Sequence, residues 1–113
     1  MGIASAMDRR VQFRRATDTA DDYGGFTRIW DDHGAVIWCL RQDVRDTEAV
    51  TAGVFGARLM SRFSVRSTEF TRALTAADRL ICEGEEFEIA GIKQAQTGQR
   101  RQLIEITGVS AID

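Results

Sequence analysis

Apolar and polar positions alternate along most of this chain with the period of two that marks a strand with one buried face. Val11-Gln12-Phe13-Arg14 is the first such stretch. Asp18 to Gly25 collects turn-forming residues, and Phe26 to Trp30 reads as the next strand. Asp32-His33-Gly34 then has the composition of a second turn or a bulge. Ala35 to Leu40 is continuously apolar and rich in β-formers, which predicts a central, well-buried strand.

From Arg41 to Ala57 the alternation stops. The stretch reads as a long loop, or as a loop holding a short helix from Thr47 to Ala52 with Asp46 as its N-cap. Loops longer than about 12–15 residues in compact domains are usually functional or disordered. Alternation returns in Arg58 to Arg66, with Ser61, Phe63 and Val65 on one face and Arg62 and Arg66 on the other. Ser67 to Asp78 reads as a loop with a helical turn. Arg79 to Cys82, Phe87 to Ile92 and Arg100 to Val109 are further strands, with turns at Gly84-Glu85-Glu86 and Gln96 to Gln99. About six short strands with regular turn signals predict an all-β fold, a small antiparallel barrel or sandwich with one long loop. The expected core is Phe13, Trp30, Trp38, Phe63, Val65, Phe87, Ile89, Ile104 and Ile106.

Length and composition narrow this picture. The 113 residues suit a single domain, with residues 1–6 as a flexible tail. No apolar run reaches the ~18 residues of a membrane-spanning helix, and Met1 to Met7 lacks the features of a secretory signal. Net charge is -2, which argues against a basic nucleic-acid binder. Proline is absent, and Lys93 is the only lysine beside many arginines. Arginine's planar five-donor fork suits pairing with carboxylates across interfaces.

Candidate chemistry is sparse. Cys39 and Cys82 lie in apolar runs and read as reduced core thiols. His33, beside Asp31 and Asp32, reads as a turn residue; a catalytic or metal-ligating role would need companions the sequence lacks. No phosphate loop or nucleophile elbow is present, so no enzyme, cofactor or metal is expected. Arg9, Arg10, Arg14 and Arg15 admit three readings: DNA-phosphate contacts, charges that guard a strand edge, or a subunit interface. Arg100 and Arg101 can face Glu85, Glu86 and Glu88 across a hairpin. In the long loop, Asp43, Asp46 and Glu48 offset Arg41 and Arg45, while Val50, Val54 and Phe55 call for burial.

The order of several short motifs resembles the head–tail joining proteins of tailed bacteriophages, also called head closure or stopper proteins. The residues are Met7-Asp8-Arg9-Arg10-Val11, Asp22-Tyr23-Gly24-Gly25, Trp30, Val36-Ile37-Trp38, Arg62-Phe63-Ser64-Val65-Arg66, Leu74-Thr75 with Asp78-Arg79, Gly84 with Phe87 and Ile89, and Arg100-Arg101 with Leu103 and Glu105. The arginine-rich composition is similar to that of a phage-like gene transfer agent. Cys39, where a small residue is usual, and the missing proline before Asp78 depart from the pattern.

The resemblance implies a small β-barrel that forms a ring, sixfold in preference to twelvefold, in the virion or phage-like particle after assembly in the bacterial cytoplasm. Its partners would be a portal or adaptor protein on the head side and a tail terminator on the other. DNA would pass through the lumen without specific binding, and no membrane is involved. Arg41, Asp43, Arg45, Asp46, Glu48, Val50, Val54 and Phe55 would line or close the channel. Arg9, Arg10, Arg14, Arg62, Arg66, Arg100 and Arg101 would make subunit contacts. The alternative is a small OB- or SH3-like nucleic-acid-binding domain using the Arg9–Arg15 strand.

Overall fold

The structure is a computed structural model that describes residues 7–44, 59–94 and 102–111. Its elements are β1 (Arg9–Ala20), β2 (Phe26–Asp43), β3 (Met60–Arg66), a single-turn helix α1 (Glu69–Arg72), β4 (Arg79–Cys82), β5 (Glu85–Gln94) and β6 (Leu103–Ser110). The strands form one antiparallel sheet in the order β1-β2-β3-β6-β5-β4, and β4 returns to β1 to close a barrel. The all-β barrel expected from the alternation is therefore the architecture found.

Alternation decides which side chains enter the barrel. Val11, Phe13, Phe63, Val65, Leu80, Phe87 and Ile106 are fully enclosed, and Leu74, Ile89 and Ile104 complete the core. Each such side chain contributes about 1.5–3 kcal/mol. The Phe63 and Phe87 rings meet edge to face at 5.1 Å between centroids. Gly108 leaves room for that pair, since a Cβ there would lie 3.1 Å from both Phe63 Cε2 and Phe87 Cβ. Cys39 and Cys82 are free and buried in the same core. Leu103 faces away from it and is covered by Met7 and Leu40 in a second, smaller cluster.

Three local devices set the connections. Glu83 (φ 55°) and Gly84 (φ 80°) make the two-residue turn between β4 and β5, a left-handed pair that matches the twist of the strands. Thr68 caps α1 by accepting from the Thr71 N–H, while the Thr71 hydroxyl accepts from the Thr68 N–H. The third device is a bulge in β2. From His33 to Ile37 this strand advances four residues while β1 advances two, from Phe13 to Val11. Gly34 sits in the bulge at φ 75°.

The bulge bears on the expectations for this stretch. Of the two expectations for Asp32-His33-Gly34, a turn or a bulge, the bulge is found, and β2 runs through it for 18 residues. Ala35 to Leu40 is not a buried central strand, because the bulge turns Val36 and Trp38 outward and only Cys39 of this run is fully enclosed. Trp38, expected in the core, is 51% exposed. Trp30, also expected there, is half-buried beneath the Arg79 guanidinium, 4.7 Å from its ring.

The expected long loop also begins later than read. Arg41 and Asp43 belong to β2, opposite Phe63 and Ser61 of β3. Arg41 lies over the Phe63 and Phe87 rings at 5.9 and 5.3 Å and closes one end of the barrel. Asp43 accepts from the Ser61 hydroxyl (2.6 Å) and from Arg41 (3.1 Å), and these bonds, Ser61's first, hold its carboxyl below the usual range. Arg45, Asp46, Glu48, Val50, Val54 and Phe55 lie outside the described residues, as do Arg100, Arg101, the 1–6 tail and the turn at 96–99.

Candidate assembly surface

Beyond the barrel, β1 and β2 continue as a two-stranded ribbon. β4 accompanies β1 only from Val11 to Arg14, and β3 accompanies β2 only from Leu40 to Asp43. Arg15–Ala20 and Phe26–Asp31 therefore pair only with each other. Asp21 shapes the tip: its N–H donates to the Gly25 carbonyl (2.9 Å), and its carboxylate accepts from the N–H groups of Tyr23 and Gly25 (2.8 Å each).

This hairpin carries all the large hydrophobic side chains that stand exposed among the described residues. They are Tyr23 (96%), Phe26 (74%), Ile29 (48%), Val36 (49%) and Trp38 (51%). Single exposed apolar residues need no explanation, but their restriction to one element makes that element the candidate interaction surface.

The arginines around it are engaged. Arg9 pairs with Asp8 (3.2 Å) and with Glu83. Arg10 covers the Trp38 ring, 4.5 Å from its centroid. Arg14 donates to Asp32 (2.8 Å) and to the Trp30 carbonyl (2.7 Å). Arg28 pairs with Asp18 on the ribbon (2.9 Å). Arg62 lies 4.0 Å from Glu105, which also meets Lys93 (3.4 Å), and Arg66 is exposed at the end of β3. Glu86 and Glu88 pair with Arg79 (3.3 and 3.4 Å), and Glu85 pairs with Arg41 (3.6 Å); Arg100 and Arg101, expected opposite them, lie outside the described residues.

The ribbon's base is anchored by a group that residue patterns did not single out. Arg15 donates to both carboxylate oxygens of Asp78 (2.8 and 2.9 Å), and the Thr75 N–H donates to the same carboxylate (2.9 Å). Asp78 is 2% exposed. Burial pushes its carboxyl up, but Arg15 and the Thr75 amide outweigh that and hold it below its ordinary value. The signal was present in the sequence only as the Asp78-Arg79 pair of the resembling motif. Beside this anchor a cleft of about 700 Å³ opens between the ribbon and the barrel flank, with Ala16, Trp30, Ala77 and Ile89 among its lining. His33, the other candidate for chemistry, stacks on Phe70 at 5.1 Å. Among the described residues no group of three or more His, Cys, Asp or Glu is placed to hold a metal ion.

Comparison with known proteins gives this surface a context. No curated protein matches the chain. The solution structure of protein SF1141 from Shigella flexneri 2a superposes with a TM-score of 0.69 at 21% identity, covering 96% of each chain. A chain from the virion of a native gene transfer agent particle superposes with a TM-score of 0.61 at 18% identity, covering 94% of this chain and 96% of that one. At such identities these likenesses establish the fold. The family model for phage head completion proteins matches residues 3–109, nearly the whole chain, and the chain belongs to that family.

Proposed function

We propose that this protein is a structural connector of a phage or phage-like particle, a ring of identical subunits seated between the head and the tail. The ring joins the portal or adaptor on the head side to the tail terminator, and DNA passes through its lumen without specific binding. Family membership supplies the head-completion role. One observation supports the step to a multi-subunit ring: every exposed large hydrophobic of the described residues sits on the β1–β2 hairpin, where no described residue encloses it. A closed ring of identical chains needs two different patches per subunit, one for each neighbour, and a projecting hairpin plus a barrel flank supply two. The sixfold order is carried over from the resemblance.

The nucleic-acid-binding alternative draws no support from the side chains it needs. Arg9, Arg14 and Arg15 each bond a carboxylate, and Arg10 lies on Trp38. Releasing them to bind phosphate would break those contacts. Filter binding at low salt should show no salt-sensitive DNA affinity. The ring itself is tested by electron microscopy of purified particles combined with quantitative mass spectrometry. Several copies of this chain in a rotationally symmetric layer at the head–tail junction are expected. A single copy per particle, or location elsewhere, would overturn the proposal.

A further inference from the structure

We infer that neighbouring subunits join by β-strand addition: the open edge of the β2 ribbon segment in one copy pairs with the open edge of the β1 segment in the next. This rests on the ring reading and names the contact that builds it.

In an antiparallel pair every second residue turns its N–H and C=O away from its partner. The Asp21 N–H bond to the Gly25 carbonyl fixes the phase. Counting from it, Ala20/Phe26, Asp18/Arg28 and Ala16/Trp30 are pairs whose backbone groups point outward. The Trp30 carbonyl agrees, since it accepts from the Arg14 side chain. The outer edge of β1 thus offers the backbone groups of Ala16, Asp18 and Ala20. The outer edge of β2 offers those of Phe26 and Arg28 and the Trp30 N–H. Among the described residues no strand pairs with either edge.

Exposed strand edges are ordinarily guarded by proline, by unpaired charges, lysine above all, by bulges or by a covering element. The whole chain has no proline, and its only lysine is Lys93 on β5. The bulge at Gly34 interrupts β2, but it lies beyond the ribbon segment. Six residues on each side carry no proline, lysine or bulge, about 20 Å of edge, and the charges of Arg15, Asp18 and Arg28 among them are spent on pairs within the chain. Phe26, Ile29 and Tyr23, exposed beside these edges, add apolar area to any strand laid there.

A second copy of this chain is the occupant that satisfies both edges. The two edges belong to one ribbon, have equal length and face opposite ways. A copy related by rotation about an axis along the strands brings its β1 beside the first copy's β2. Because β1 and β2 run in opposite directions, the new pair is antiparallel. The same operation repeats until the sheet closes, with two strands from each subunit and no edge left over. A general peptide ligand would fill one edge and leave the other open. This account also gives a use to the missing prolines.

Variants with one added cysteine test it inside the assembled particle. One set places cysteine on β1 (Ala16→Cys, Asp18→Cys, Ala20→Cys), the other on β2 (Phe26→Cys, Arg28→Cys). Cys39 and Cys82 are buried and stay out of the reaction. Each variant is produced alone, and in mixed β1/β2 pairs, in cells that make the particle. After mild oxidation, non-reducing gels should show a disulfide-linked dimer in at least one mixed pair and in no variant alone. Tailed particles in which no mixed pair links would overturn the strand-addition contact while leaving the ring intact. A chain present in one copy per particle would overturn the ring and this inference with it. Hydrogen exchange gives an independent readout on the unmodified chain. The amides of Ala16, Ala20, Phe26 and Arg28 should exchange fast in the isolated protein and at least ~100-fold more slowly in the particle. Equal rates in both states count against the inference.

Discussion

Replacing Gly34 by alanine should destabilise the barrel strongly, because two independent costs meet at that position. Its φ of 75° lies in the left-handed region, where an L side chain costs about 1–2 kcal/mol. A methyl there would also lie 2.5 Å from Phe70 Cζ and overlap Cε1. Phe70 cannot swing clear freely: its ring meets Phe13 at 6.0 Å on one side and His33 at 5.1 Å on the other. Overpacking of this kind costs about 1–3 kcal/mol. The sum is about 2–5 kcal/mol, and urea unfolding with a slope of about 1.5–2 kcal/mol/M should show the midpoint falling by roughly 1–3.3 M. The steric share is separable. Phe70→Ala in the Gly34→Ala background removes the overlap, so the double variant should be more stable than the sum of single effects by about 1–2 kcal/mol. A Gly34→Ala shift below about 0.5 kcal/mol, or strict additivity with Phe70→Ala, would refute this reading of the bulge.

Other expectations follow from the same contacts. Asp78→Ala removes the bidentate bond to Arg15 and strands the Thr75 amide, at a cost of about 2–3 kcal/mol by urea titration, the half-exposed Arg15 being partly rehydrated. Because the folded carboxyl of Asp78 lies below its unfolded value near ~3.9, its contribution is complete above that pH and is lost as pH falls through the folded value. Acid titration of stability should therefore be shallower below about pH 4 in Asp78→Asn than in the natural chain. Burial raises the Cys39 thiol to about 12 and pushes Cys82 up as well, so alkylation at pH 8 should be slow in the folded protein and rapid in urea. Fast labelling of the folded chain would contradict that placement. Trp38→Ala should cost less than about 1 kcal/mol, against 3–5 for a core tryptophan, while lowering the yield of tailed particles. A loss of core size would return Trp38 to the interior.

Strand positions were legible because one face of each strand meets the barrel interior. Phe63 and Val65 alternate with Arg62, and Phe87 and Ile89 with Glu88, so period two alone exposed the sheet. The same rule failed from Ala35 to Leu40. An apolar run says that water is unwelcome on both faces, not which molecule covers them. Here the barrel covers Cys39, while Arg10 lies over Trp38 and Val36 stands exposed among the described residues. Turn composition left Asp32 to Gly34 open between a turn and a bulge, and cross-sheet pairing decides for the bulge. Asp32 is held by Arg14 from across the sheet, so a polar cluster that would break an isolated strand is paired within this one. Asp78 stayed hidden because its partner lies 63 positions away, and no local pattern announces such a pair. The Arg9–Arg15 strand could be read three ways until its carboxylates were located: those carboxylates weaken the DNA reading, and the open edges beside it favour an interface.

The central claim is a structural role at head completion, and removing the chain tests it most directly. Electron microscopy of particles from cells that lack this protein should show heads without tails that have released their DNA, with tailed particles restored by supplying the chain. Tailed, DNA-filled particles in normal numbers without it would contradict the account.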